Sequence, residues 1–350
     1  MKKIIGKYGI GLLSAMLLCI GLISCRDENN EQQISLSAPE IQSISASLNE
    51  DGQPSDLSPA AFGYAGNTYV IQGSGFSTLQ KISFNGKEAV FNPNLVTDNT
   101  IFVTIHQDTP YADTSNKVQI VTKYGQTEYD FVVAPPAPVF DSYNSINPQT
   151  GDLITLYGNY FLDPVVKIGE QEVEVVSSTL TEIKARVPAD AMHKLVSVTT
   201  MSGTVTAPQA IGSALYDDAL QGDAGHWTWS GNAIVTDHQD DAAQGVQSMK
   251  IAMGGWDGAD FKFTPRDVKP YKAFRIRIKS MTDNPDAKLV LVFGGWAYQI
   301  TKSVGSDWTS IEIPFSEIGN PTTFDQITFQ EAGNFGGNTL LIDDMGFVLK

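Results

Sequence analysis

The chain is poor in cysteine and in positive charge. Its 350 residues include 2 cysteines, Cys19 and Cys25. Cys19 sits inside an apolar N-terminal run, which leaves Cys25 alone in the body of the chain. No intrachain disulfide is then possible there, and stability has to come from burial. Lys and Arg number 23 against 39 Asp and Glu, a formal charge of -16. A body this acidic lacks the basic surface that nucleic acid and anionic lipid require of a partner. After residue 24 no apolar stretch of about 18 residues recurs, so no further segment reads as a membrane-spanning helix. Motifs for metal and catalysis are missing as well. His106, His193, His226 and His238 are scattered, with no H-E-x-x-H or paired-cysteine spacing for zinc. Neither a G-x-S-x-G elbow nor a phosphate-cradling glycine loop occurs. Two carboxylates suited to a glycosidase are excluded by no single sequence, but the architecture below makes a non-enzyme the expectation.

The N-terminus carries a pattern of its own. Lys2, Lys3 and Lys7 precede a nearly continuous apolar run that ends in Leu22-Ile23-Ser24-Cys25. The run is too short to span and is followed by no stop-transfer pattern, so residues 1–24 read as an export signal. A small residue before a cysteine at this place resembles the bacterial lipobox. That resemblance implies cleavage before Cys25 and diacylation of its sulfur. Each buried methylene then contributes about 0.8 kcal/mol, enough for several chains to anchor the protein durably. The alternative is a plain secretory signal with a chance cysteine. Removing residues 1–24 takes away three lysines and no acid, moving the charge from -16 to -19. Residues 25–37, which include Arg26, Asp27 and Glu28, are too polar to bury and read as a flexible tether. This stretch also resembles the charged segment that directs some lipoproteins to the outer face of the outer membrane.

The rest is all-β by its pattern. Short alternating runs such as Lys117-Val118-Gln119-Ile120-Val121 lie between turn signals such as Asn85-Gly86, and 31 glycines and 17 prolines fit a chain with many turns. No amphipathic helix of three turns is evident. A repeat covers the first half: Tyr69-Val70-Ile71-Gln72-Gly73-Ser74-Gly75-Phe76 matches Ile154-Thr155-Leu156-Tyr157-Gly158-Asn159-Tyr160-Phe161. The offset of about 85 residues suits a small immunoglobulin-like sandwich. The glycine permits a tight bend or bulge and the phenylalanine turns back into the core. Pro39-Glu40-Ile41, Gly73-Ser74-Gly75-Phe76 and Asn85-Gly86 resemble the IPT/TIG family of immunoglobulin-like domains. The second unit departs from that pattern with Gly158-Asn159-Tyr160-Phe161 and Gly169-Glu170. The resemblance implies two spacer sandwiches in tandem, residues 38–134 and 135–212, stiffened by Pro135, Pro136 and Pro138 at the joint.

Residues 213–350, roughly 140 in all, suit a jelly-roll sandwich. Phe274, Ile276 and Ile278 alternate with Arg275, Arg277 and Lys279, one buried face and one wet face. Leu289-Val290-Leu291-Val292-Phe293 is apolar on both faces and reads as a central strand. Gly245-x-x-Ser248-Met249-Lys250-Ile251, the stretch Asp307 to Ile318, and Leu341-Ile342-Asp343-Asp344 resemble the galactose-binding-like jelly rolls of carbohydrate-binding modules.

All 5 tryptophans fall in this last unit. An indole can cover the C–H face of a pyranose while hydroxyls hydrogen-bond sideways, or it can simply fill a core. Trp308 leads into Ile311 and Ile313 and reads as core. Trp256 and Trp296 each follow a glycine pair that would permit close approach, and both stand open between platform and core. Tyr298 joins Trp296 at a two-residue spacing. Trp227 and Trp229 share a strand face beside His226, either as platform or as core or rim. Asp257, Gln299, Gln330, Glu331 and Asn334 are nearby polar groups, Gln330 being the candidate carried forward. Jelly rolls often hold a structural calcium, and Asp218 with Asp343 are the candidate ligands for it. No other cofactor is called for.

In order, a lipid anchor, two spacer sandwiches and an aromatic-rich jelly roll, the chain resembles the surface glycan-binding lipoproteins of outer-membrane polysaccharide uptake. The resemblance implies non-catalytic capture of an oligo- or polysaccharide, of the β-glucan or hemicellulose class. It also implies an outer-membrane location facing the exterior, beside a TonB-dependent transporter and a companion glycan-binding lipoprotein. A protein-binding adhesin or assembly factor is the competing class, since an exposed tryptophan patch would serve it too.

Overall fold

The computed structural model describes residues 37–282, 287–332 and 337–350. The export signal, Cys25 and most of the tether lie outside the described residues, as does Asn334. Among those described, every regular element is a strand except one short 3-10 turn, Phe315–Ile318. The fold is all-β. Contacts divide the chain into two compact units, one running to Thr109 and including Ser115–Val132, the other made of Pro110–Thr114 and Val133–Lys350.

The first unit contains two 4-stranded antiparallel sheets. One runs in the order Glu40–Ala46, Thr68–Ser74, Thr100–Thr104, Val90–Val96; the other runs Lys87–Glu88, Leu79–Phe84, Lys117–Thr122, Gly125–Asp130. Ile71, Phe76, Ile82, Phe84, Ile101 and Ile120 are fully buried in its core. The second unit begins with the same arrangement. Val139–Asn144, Leu153–Asn159, Glu182–Arg186 and Val175–Ser178 form one sheet. Gln171–Glu172, Val165–Ile168, Leu195–Thr200 and Gly203–Ala210 form the other. The internal repeat is therefore a repeat of topology.

Its glycine has a specific task. A Cβ on Gly73 would lie 1.9 Å from the Glu40 carbonyl oxygen and 2.7 Å from the Phe76 ring. On Gly158 it would lie 2.0 Å from the Val139 oxygen and 2.5 Å from the Phe161 ring. The opposing strand bulges at each place, between Ile41 and Ser43 and between Phe140 and Ser142. So the bulge expected of the glycine lies on its neighbour, and the glycine clears the space for it. The departure at Gly169-Glu170 also has a backbone reason. Asn85 and Gly86 both have positive φ, 48° and 79°, as a type I′ hairpin turn requires, whereas Gly169 alone is positive at 60°. That is the type II′ pattern, which places glycine first and matches the strand twist equally well.

Residues 214–349 of the second unit form a two-sheet jelly roll around one large core that includes Phe261, Phe274, Leu291, Phe329 and Phe347. The 12-residue strand Asn338–Leu349 is central to its 7-stranded sheet, pairing with Ala214–Asp217, Ser248–Met253 and Tyr271–Ser280. The opposite sheet has 5 strands in the order Gly225–Thr228, Gly258–Asp267, Thr323–Ala332, Lys288–Phe293, Tyr298–Ser303. Phe274, Ile276 and Ile278 are fully buried as expected. The face expected to be wet is not. Arg275 is 7% exposed and pairs with Asp344 at 2.7 Å, Arg277 donates to the Ala243 carbonyl at 2.9 Å, and Lys279 pairs with Asp241. The segment Asp241–Ala243 covers the Arg277 and Lys279 end of this face, and those two cations serve it.

Acidic side chains tie the second sandwich to the jelly roll. The Ile146 N–H donates to Asp217 Oδ2 at 2.9 Å, Asn144 Nδ2 to Asp218 Oδ2 at 3.0 Å, and Gln209 Nε2 to Asp344 Oδ2 at 2.8 Å. Burial pushes Asp217 up to about 7, against the pull of the Ile146 N–H, and pushes Asp343 up to about 7 against the Gln244, Asp344 and Ala243 N–H groups. Asp344 is raised by burial despite Arg275.

Two outcomes are expected. Gly158→Ala forces a methyl group into the Val139 backbone and should cost about 1–3 kcal/mol in urea unfolding. The raised carboxyls hold protons in the native state to pH about 7, where the unfolded chain has released them from about 3.9 upward. Their contribution to stability is thus full below that lower value and is lost as pH rises toward 7. Melting temperature should be higher at pH 5.5 than at 7.5, and Asp217→Asn should flatten that difference; an unchanged slope would contradict the assignment.

Candidate functional site

The 5-stranded sheet has a core face and an outer face, and its register says which side chains share each. Opposed residues of an antiparallel pair lie on the same face. His226 opposes Phe261 and Thr228 opposes Ala259, both core residues, so Trp227 is on the outer face opposite Asp260. Continuing across the ladder, Asp260 opposes Thr328, Thr328 opposes Val292, and Val292 opposes Gln299. The next outward row is Gly258, Gln330, Val290 and Thr301. Trp229 closes that row: its N–H donates to the Gly258 carbonyl at 3.0 Å. Its ring fills the space beside Gly258, where a Cβ would come within 2.6 Å of the indole.

Trp296 comes from the turn after Lys288–Phe293 and stacks on Trp229, with centroids 5.7 Å apart and planes 29° apart. Trp227, Trp229 and Trp296 are 52%, 41% and 42% exposed. The outer face therefore presents three large apolar surfaces above a floor of Thr328, Gln330, Val290 and Val292. At 5.7 Å the stacked pair leaves no room between its rings, since a sandwiched pyranose needs about 7–8 Å, two carbon contacts in series. The surfaces offered to a ligand are the pair's free faces and the Trp227 indole.

Backbone geometry fixes the two turns. Gly294, Gly295 and Trp296 have φ of 60°, 60° and 77°, and Trp256 has 62°. Left-handed backbone costs a bulky residue about 1–2 kcal/mol, so each turn needs a brace. Glu331 Oε2 accepts from the Trp256 N–H at 2.7 Å. Asp257 joins the Trp256 turn to the loop of Ser230 and Asn232. Its Oδ1 accepts from the N–H groups of Ser230 at 3.0 Å and Gly258 at 2.8 Å, and its Oδ2 from the Ser230 hydroxyl and Asn232 Nδ2. Burial raises its pKa, but these hydrogen bonds outweigh it and leave the carboxyl below its ordinary value.

Residues 138–214 match the family model of the IPT/TIG domain. That stretch is the second sandwich. Among curated proteins, an IPT/TIG domain-containing protein of Bacteroides ovatus is 26% identical over 161 residues, 44% of this chain and 30% of that protein. The match thus spans under a third of that relative's length. Among solved structures, surface glycan-binding protein PbSGBP-B from Prevotella bryantii is similar at 18% identity, over 89% of this chain and 98% of that one, with a TM-score of 0.49. SGBP-B from Bacteroides uniformis is similar at 16% identity, over 89% and 99%, with a TM-score of 0.39. A family 11 carbohydrate-binding module of Clostridium thermocellum is similar at 18% identity, over 41% and 97%, with a TM-score of 0.29.

Not every sequence candidate joins the face. Trp227, Trp229, Trp296 and Gln330 do. Trp256, 55% exposed, stands in the turn that leads into Gly258 and borders the Trp229 end. Tyr298 opposes the core residue Phe293, and Ile300 opposes Leu291, so Tyr298 belongs to the core face and not to the row with Trp296. Its hydroxyl instead occupies the space where a Cβ on Gly319 would stand. Trp308 is not core: it is half-buried on the other sheet, its Nε1 donating to Asp241 at 2.8 Å beneath the Lys279 ammonium. Asp218 and Asp343, the residues expected to hold calcium, are turned toward backbone donors. Asp218 Oδ1 accepts from Val246 and Gln247 N–H, and Asp343 from Ala243, Gln244 and Asp344 N–H. Among the described residues no cluster of three or more suitable side chains could hold a metal. Asp260, under the outer row, went unnoticed in the sequence, although its place between Gly258 and Lys262 in an alternating strand marks it as outward.

Asp257→Ala should leave the Ser230 and Gly258 N–H groups unpaired, at about 1–3 kcal/mol. Near-ultraviolet circular dichroism should report loss of the Trp229–Trp296 couplet together with a lower melting temperature. An intact couplet would show that the loops are held by something else.

Proposed function

We propose that the protein is a non-catalytic glycan-binding lipoprotein of the cell surface, capturing a polysaccharide of the β-glucan or hemicellulose class on the outer face of its terminal sheet. One observation carries the reading: three half-exposed tryptophans converge on a single sheet face, over a floor of Thr328, Gln330, Val290 and Val292. Exposed indoles in a group are costly in water and are matched by the C–H faces of sugar rings, while Thr328 and Gln330 meet hydroxyls. Anchorage through Cys25 would hold many copies in the outer membrane, so that a long chain is retained by multivalency at modest affinity per site. A TonB-dependent transporter and a companion glycan-binding lipoprotein are the partners such capture would serve.

Affinity electrophoresis tests this in gels containing β-glucan, xyloglucan, xylan, mannan, pectin or starch. Retardation by one polysaccharide is expected. Trp229→Ala and Trp296→Ala should each weaken it about tenfold or more, as truncation of central aromatic anchors does. A blank panel, followed by a blank wider glycan array, would favour the protein-binding reading.

A further inference from the structure

The floor of that face holds one group whose chemistry is incomplete. Asp260 lies on the outer face of Gly258–Asp267, directly between Trp227 and Thr328, yet it is only 2% exposed. Its Oδ1 accepts from Gln326 Nε2 at 2.7 Å and from the Thr328 hydroxyl at 2.6 Å. Its Oδ2 is buried and has no hydrogen-bond partner among the described residues. A buried carboxylate oxygen left unpaired is unfavourable, and such atoms need a reason. Here two donors on one oxygen lock the carboxylate's orientation and leave the other oxygen as a fixed, vacant acceptor under the aromatic row.

We propose that Asp260 Oδ2 is the polar anchor of this face: it accepts a hydrogen bond from a sugar hydroxyl, and the site therefore takes uncharged glycans and rejects those bearing carboxylates or sulfates. The inference rests on the glycan-binding reading above and adds the class of ligand. A hydroxyl donating to a carboxylate makes a short, charge-assisted bond that an ether oxygen or a second anion cannot make. An anionic substituent beside Asp260 would meet like charge in a partly desolvated setting, with no compensating donor. Trp227 is the direct cross-strand neighbour of Asp260 and is half exposed. A rotamer change of that ring, ordinary when a ligand arrives, would let the indole settle on a sugar whose hydroxyl reaches the oxygen.

The test begins with the purified protein and the neutral polysaccharide that retards it, measured by calorimetry. Asp260→Asn keeps the shape and an acceptor toward Thr328 but removes the vacant acceptor. It should bind about tenfold or more weakly, the size of a hydrogen bond to a charged group, with unchanged melting temperature. A second arm needs no variant: a carboxymethylated derivative of the same polysaccharide should bind the unaltered protein at least about tenfold more weakly, with the deficit reduced by salt. Equal affinity of Asp260→Asn, or equal affinity for the carboxymethylated chain, overturns the assignment while leaving glycan binding intact. If the unaltered protein binds no glycan, the reading beneath it fails and the assignment falls with it.

Discussion

The pairing of Gly225–Thr228 with Gly258–Asp267 sets which way the first exposed indole of the terminal sheet faces. Trp227 is outward because it opposes Asp260; a slip of its strand by one residue would bring it opposite Phe261 or Ala259, on the core side. Burial of Thr228 against Ala259 favours that register, with the exposed His226 ring lying 6.0 Å from that of Phe261. It is held at the end by Asp257, which fastens the loop after Thr228 to the turn before Gly258. The stack of Trp229 on Trp296 lies downstream of both.

Acids elsewhere in the jelly roll serve backbone donors. Asp217, Asp218, Asp343 and Asp344 each accept from N–H or amide groups of segments far away in sequence. Among the described residues, which include no cysteine, such bonds crosslink loops at the cost of burying carboxyl groups, and Arg275 offsets part of that cost beside Asp344. Asp344 Oδ1, which takes no hydrogen bond, meets the Arg275 guanidinium at 2.7 Å; among the described residues Asp260 Oδ2 has neither a hydrogen bond nor an ion pair.

Much of the architecture could be read in the sequence, because it depends on local period and turn chemistry. The matched Gly73 and Gly158, the Asn85-Gly86 turn and the apolar run 289–293 each fix their surroundings within a few residues. The gathering of tryptophans in residues 213–350 likewise marked the domain in which the exposed indoles stand. What failed did so for identifiable reasons. Tyr298 was grouped with Trp296 on a two-residue period, but Trp296 lies in a left-handed turn and the strand's alternation begins only at Tyr298. Arg275 looked wet because its strand alternates, yet it is buried against Asp344, 69 residues away. The Trp229–Trp296 pair joins positions 67 residues apart, and the vacant oxygen of Asp260 depends on Gln326 and Thr328 choosing its partner. Neither relation has a local signature.

The long strand Asn338–Leu349 has a kinetic consequence. It is the last strand of the jelly roll and also its middle, paired with residues as early as Ala214. Loop closure over more than a hundred residues must precede the reward of that pairing, which makes for slow, non-local folding. Until this strand inserts, the sheet carries two unsatisfied edges and an open core, the condition in which chains associate with one another. Synthesis from N- to C-terminus therefore gives the two sandwiches a head start, while the jelly roll waits for Asn338–Leu349.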